Sequence, residues 1–128
     1  MKKIEIYQIS FEQFARMTEG TPGREVLLSA AKLASEIIIG MYGDEVLAYI
    51  GLVPPTLLAD RAYIWMLTTE SGEAHPLLIA RYGEKFILTA LCKYRVLFGH
   101  CFSEKSARWL RYMGAEFVSD TQFEFRRG

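Results

Sequence analysis

The chain has 128 residues, 51% hydrophobic and 13% aromatic, enough for one domain over residues 1–128 that buries roughly two-thirds of its unfolded surface. Fifteen Lys and Arg balance fifteen Asp and Glu, so no basic field draws in nucleic acid or an anionic membrane. No apolar run nears the ~20 residues that span a bilayer, and none follows Lys2 and Lys3 as in a signal peptide; the expectation is a cytoplasmic protein without nucleic-acid or membrane partners.

Residues 2–9, KKIEIYQI, set Ile4 and Ile6 among polar neighbours and predict a half-buried strand. Ser10 with Gln13 forms a capping-box pattern that starts a short helix over SFEQFARMT. After the turn GTPG, residues Val26, Ala30, Leu33 and Ile37 recur at helical spacing beside Leu27, Ala31 and Ala34, which predicts a second helix with a wide apolar face. IIIGMYGDEVLAYIGLVPP reads as two strands joined at Gly43-Asp44 and stopped by Pro54-Pro55. RAYIWMLT, residues 61–68, is apolar enough for a central strand covered on both faces.

TESGEAHP, residues 69–76, is a polar loop whose proline suits the first turn of a long helix. In that helix Leu78, Ile79, Tyr82, Phe86, Ala90 and Leu91 make the face that lies across a sheet. YRVLFGHC, residues 94–101, is a further buried strand, followed by a helix that opens at Ser103 and stops at Gly114. Short strands around 116–118 and 122–126 complete the order β-α-α-β-β-β-α-β-α-β-β, an α/β chain with a mixed sheet. Strand 61–68, the long helix and strand 94–101 form a right-handed βαβ unit, so the two strands are expected to be parallel neighbours. Cys92 and Cys101 have neither the number nor the spacing of a disulfide framework and are expected to be reduced core thiols. With His75 and His100 they do not make a metal site.

The element order, joined to SEKSARWLRYMGAEF at 103–117, resembles the GCN5-related N-acetyltransferase (GNAT) superfamily. In that pattern Asn-x-x-(Ala/Ser) opens the last long helix, Leu-Tyr stands six and seven residues on, and Gly-Phe eleven and twelve on. Ser103, Ser106, Trp109-Leu110 and Gly114-Ala115 occupy these positions here. Ser103 thus replaces the asparagine, Leu110 a tyrosine that often acts as general acid, and Ala115 the phenylalanine. SARWLRYMGAEF is especially similar to tailed-phage proteins of GNAT-like fold, including the internal virion protein A group.

The resemblance implies an acyl-CoA-dependent N-acyltransferase that moves an acyl group directly from acetyl-CoA or another acyl-CoA to an amine. It implies that the backbone around Met66, Leu67 and Thr68 holds the pantetheine arm, with Ser103 and Ser106 on the far wall of the slot. The family's phosphate turn, Arg/Gln-x-x-Gly-x-Gly/Ala, falls here on Gly72-Glu73-Ala74-His75-Pro76-Leu77, so Gly72, Ala74 and His75 are the residues expected beside the pyrophosphate. One glycine, an acidic side chain and a proline without an N–H make a poor anion cradle, and the expectation is weak or undetectable CoA binding. The alternative the phage likeness implies is a catalytically inactive phage or prophage protein that serves virion assembly or binds a phage or host protein, virion-associated if phage-encoded. The reading also admits a homodimer.

The residues themselves leave alternatives open. His75 is either an anion ligand at a helix start or an exposed loop residue. His100, at the carboxyl edge of the sheet, is either the group that deprotonates an amine or a hydrogen-bonded structural histidine. Tyr112 is the phenol nearest to Leu110, but two residues along a helix turn it roughly 200° away. Trp65 and Trp109 read as packing residues.

Overall fold

The computed structural model describes residues 3–56, 59–101 and 103–127. One seven-stranded mixed sheet, ordered β1-β2-β3-β4-β5-β7-β6, organises them. Its strands are β1 (Ile4–Ile9), β2 (Glu36–Tyr42), β3 (Glu45–Val53), β4 (Arg61–Thr68), β5 (Val96–His100), β6 (Glu116–Phe117) and β7 (Gln122–Arg126). The helices are α1 (Phe11–Met17), α2 (Arg24–Leu33), α3 (Glu70–Glu73), α4 (Pro76–Leu91) and α5 (Glu104–Tyr112).

Local chemistry explains most boundaries. Ser10 and Gln13 make both halves of the capping box on α1, with Gln13 N–H donating to Ser10 Oγ at 3.1 Å and Ser10 N–H to Gln13 Oε1 at 2.8 Å. Gly43 turns the β2–β3 hairpin at a φ of 62°, where a side chain would be strained. Gly114 ends α5 at a φ of 107°, and the Ala115 N–H reaches back to the Leu110 carbonyl at 2.9 Å, a Schellman-type close.

Alternation along the strands sorts two cores onto opposite sheet faces. On one, α1 and α2 bring Phe14 and Ala31 against Ile37, Ile39, Tyr49 and Trp65. On the other, α4 and α5 bring Ile87, Ala90, Leu91, Ala107 and Leu110 against Leu52, Ala62, Ile64, Phe123 and Phe125.

Several expectations from the sequence are corrected. Helix α2 turns Val26 and Leu33 to solvent, 76% and 71% exposed, and packs through Leu27, Leu28, Ala31 and Ala34 instead. Ile37 belongs to β2, opposite Gly51. Two sides of this helix are apolar, and the sheet, which takes the β-branched run 37–39 into its second strand, selects the one carrying small Ala31. The loop 69–76 contains the one-turn helix α3. Along α4 the buried stripe is Ile79, Ala80, Gly83, Ile87, Ala90 and Leu91; Leu78, Tyr82 and Phe86 are only partly buried. Strand β1 is more open than half-buried, with Ile6 and Tyr7 each 47% exposed, at the edge of the sheet. Cys101 is buried but Cys92 is exposed. Among the described residues no helix is long and apolar enough to cross a membrane.

Candidate active site

Strands β4 and β5 are parallel and start in register, Arg61 opposite Val96, Ala62 opposite Leu97 and Tyr63 opposite Phe98. There the pairing stops, although β4 runs on to Thr68 and β5 to His100. Gly99 marks the last close approach: a Cβ built on it would sit 2.6 Å from the Ile64 carbonyl oxygen. Beyond it the strands part. The outer strands do not close the gap, because β3 keeps pairing with β4 as far as Thr68 while β7 pairs with β5 as far as His100.

The opening is a cavity of about 240 Å³. Met66 and Thr68 reach it from β4, His100 and Cys101 from the end of β5, Ser106 and Leu110 from α5, and Gly83 and Ile87 from α4. Its walls are mainly apolar, and its polar groups gather on the β4, β5 and α5 sides. The His100 side chain is exposed, with Nδ1 3.5 Å from the Tyr63 hydroxyl and the two rings 5.8 Å apart. Cys101 Sγ donates to the Ser103 carbonyl at 3.2 Å. Leu110 is buried and offers no proton, and Tyr112 is 67% exposed and absent from the lining.

Of the residues expected at the site, Met66, Thr68, His100 and Ser106 meet in this cavity. Leu67 lies between Met66 and Thr68, but its side chain packs with the α1–α2 core, so only its backbone belongs to the slot. Ser103 is the N-cap of α5, its Oγ accepting the Ser106 N–H at 3.3 Å.

Gly72, Ala74 and His75 sit apart from the cavity and are engaged otherwise. Thr69 caps α3 by accepting the Gly72 N–H at 3.1 Å, and its hydroxyl is directed at the Val46 and Leu47 carbonyls of β3. The N–H groups of Glu73, Ala74 and His75 donate to Thr69, Glu70 and Gly72 carbonyls at 2.9, 3.1 and 3.0 Å. Four consecutive donors, where the sequence resemblance puts a phosphate turn, are therefore taken within the turn itself. Gly72 is buried, and a Cβ there would lie 2.1 Å from the Leu47 carbonyl oxygen. Its missing side chain lets the turn dock on β3. His75 Nδ1 donates to the Ser71 carbonyl at 2.9 Å, and its ring stands edge-on to Tyr42, centroids 5.2 Å apart.

Among the residues that sequence reasoning passed over are Gly83 and Ile87, which line the cavity, and Thr69, which caps the neighbouring turn. Thr69 had a readable signal, a threonine followed by Glu70 in the first turn it caps. Gly83 and Ile87 had none, since a helical stripe does not say which opening it roofs.

No protein-family model matches the sequence, and no curated protein does. Solved structures do match. An aminoglycoside N(6')-acetyltransferase from Legionella pneumophila aligns over 98% of this chain and 93% of its own, with 9% identity and a TM-score of 0.69. A Salmonella typhimurium protein solved with its cofactor acetyl-CoA aligns over 97% and 94%, with 12% identity and a TM-score of 0.69. A GNAT-family acetyltransferase from Streptococcus pneumoniae aligns over 98% and 100%, with 8% identity and a TM-score of 0.64. With identities this low the likeness is one of architecture, and it covers nearly the whole chain: this protein has the GNAT-like fold.

Proposed function

We propose that the chain is an acyltransferase that binds an acyl-CoA-class thioester in the slot between β4 and β5 and passes the acyl group to an amine. The observation that supports this best is the cavity beyond the last β4–β5 pair, which gathers Met66, Thr68, His100 and Ser106. A strand edge freed of its partner offers backbone N–H and C=O groups for ladder-like bonds to an amide-bearing arm, and β4 has such an edge from Trp65 to Thr68.

A bound thioester would supply the activated acyl carbon. Around it the backbone from Met66 to Thr68 aligns the arm, and Ile87, Leu110 and Phe123 exclude water. The neutral amine's nitrogen forms the new C–N bond, His100 takes the proton that nitrogen sheds as the bond forms, and it returns the proton to the sulfur as the C–S bond breaks. The one-step route leaves Cys101, whose Sγ is turned to the Ser103 carbonyl, without a covalent role.

The closed turn 69–76 supports a second reading, a fold kept for binding a phage or host protein without turnover. Calorimetric titration with acetyl-CoA, followed by a thiol-release assay on a panel of amines, separates the two. The acyltransferase reading expects saturable binding weaker than ~1 μM and thiol release with at least one amine. Absence of both, with acetyl-CoA and with longer acyl-CoAs alike, would leave the partner-binding reading.

A further inference from the structure

The cavity has a neighbour across Met66. A second, apolar cavity of about 50 Å³ lies on the same sheet face, and both are lined by Ile50, Met66 and Gly83. It runs beneath α4 towards β2 and β1, roofed by Leu78, Tyr82 and Phe86 and floored by Ile38 and Gly40. No charged side chain lines it. Its far end reaches Ile6, which is half exposed. The stripe Leu78–Tyr82–Phe86 is thus an apolar face of α4 left over the groove while a neighbouring stripe fills the core.

Gly40 is an independent sign that this groove is kept open. It sits within the strand sequence Glu36–Tyr42, its φ lies outside the left-handed region, and a Cβ built on it would meet nothing within 4 Å. Neither backbone conformation nor packing requires glycine there, even with a register shift between Gly40 and Met41. An apolar residue would favour the strand and fill the space.

Resting on the acyltransferase reading above, we infer that the thioester's acyl group is an unbranched apolar chain of medium length, not acetyl, and that it runs from the slot past Met66 into this groove. A cavity this size takes roughly four carbons beyond those held in the slot. Counting roughly as many again for the acyl carbons that lie in the slot, a chain of about eight carbons fills both parts, and longer ones emerge beside Ile6. Each fully buried methylene strengthens binding about fourfold; chain ordering and the groove's open end reduce that gain.

The test is calorimetric titration of the full chain with straight-chain acyl-CoAs from two to twelve carbons. Affinity should rise at least ~30-fold from acetyl to octanoyl and then level off. Gly40→Leu, or Ile38→Phe should the first variant fold poorly, should cut that gain to less than ~3-fold and leave the acetyl-CoA affinity unchanged. Thioesters that bind equally at every length would overturn the chain-length inference and leave the slot reading standing. A gain that survives a folded groove variant would also overturn it, because the chain would then lie elsewhere. If no acyl-CoA binds at all, both readings fall.

Discussion

Two regions that serve one purpose in the GNAT pattern have taken different courses in this molecule. The β4–β5 slot is open, with strands that part after Tyr63 and Phe98 and a cavity beyond them. The turn at 69–76 is closed, with its N–H groups from 72 to 75 spent internally and Gly72 pressed on the Leu47 carbonyl. A glycine can free a backbone to meet a ligand or free it to meet the protein, and Gly72 does the second. On the proposed acyltransferase reading, the site would serve the reactive arm of a thioester, and the nucleotide end would receive little.

The largest expected effect is at the open end. His100→Ala should lower the maximal rate of acyl transfer ~10²- to 10⁴-fold, the range for a positioned proton acceptor, with circular dichroism unchanged. Tyr112→Phe, on the exposed face of α5, should change it less than ~2-fold. Steady-state kinetics showing the reverse order would remove His100 from the chemistry.

The closed end should respond in stability. Gly72→Ala forces a methyl group against the Leu47 carbonyl and should destabilise by about 1–3 kcal/mol, seen as a fall of several degrees in Tm. An alanine that leaves Tm alone would mean that the turn does not depend on this contact. The same contrast can be sharpened by comparing ligands. S-acyl pantetheine and the matching acyl-CoA should bind within ~10-fold of each other, because a working cradle of three charge-assisted hydrogen bonds would separate them by a thousandfold or more. A gap that wide would show that the turn opens to receive phosphate.

The smallest effect lies in the α1–α2 core, away from both regions. Burial raises the pKa of the Tyr49 hydroxyl above its usual value of 10.0. The folded state thus holds this proton more tightly than the unfolded chain does. Its contribution is present in full below pH 10 and is lost as the pH rises through the folded-state value. Chemical denaturation should show stability declining above pH 10, and Tyr49→Phe should lessen the slope; an unchanged slope would assign the decline to other groups.

Much of the fold was legible because its signals are local. Ser10 with Gln13, Gly43 in its hairpin, Gly114 at a helix end and the β-α-β spacing from 61 to 101 each act through neighbouring backbone, and each stands in the structure where the sequence predicts it. The likeness of SEKSARWLRYMGAEF to the GNAT pattern added the fold, and His100, Ser106, Met66 and Thr68 meet at one opening.

What sequence alone could not decide were choices between chemically equal surfaces. Val26 and Leu33 are as apolar as Leu27 and Leu28, and only the sheet beneath α2 determined which pair would pack against the core. Leu78, Tyr82 and Phe86 follow the same period as Ile79, Gly83 and Ile87, and the rotation of α4 over the sheet made one stripe core and the other the roof of a groove. Gly72 reads as a phosphate-turn glycine until β3 is beside it. Periodicity gives the number and spacing of apolar groups, whereas which of them lose contact with water is determined by long-range packing between elements far apart in the chain.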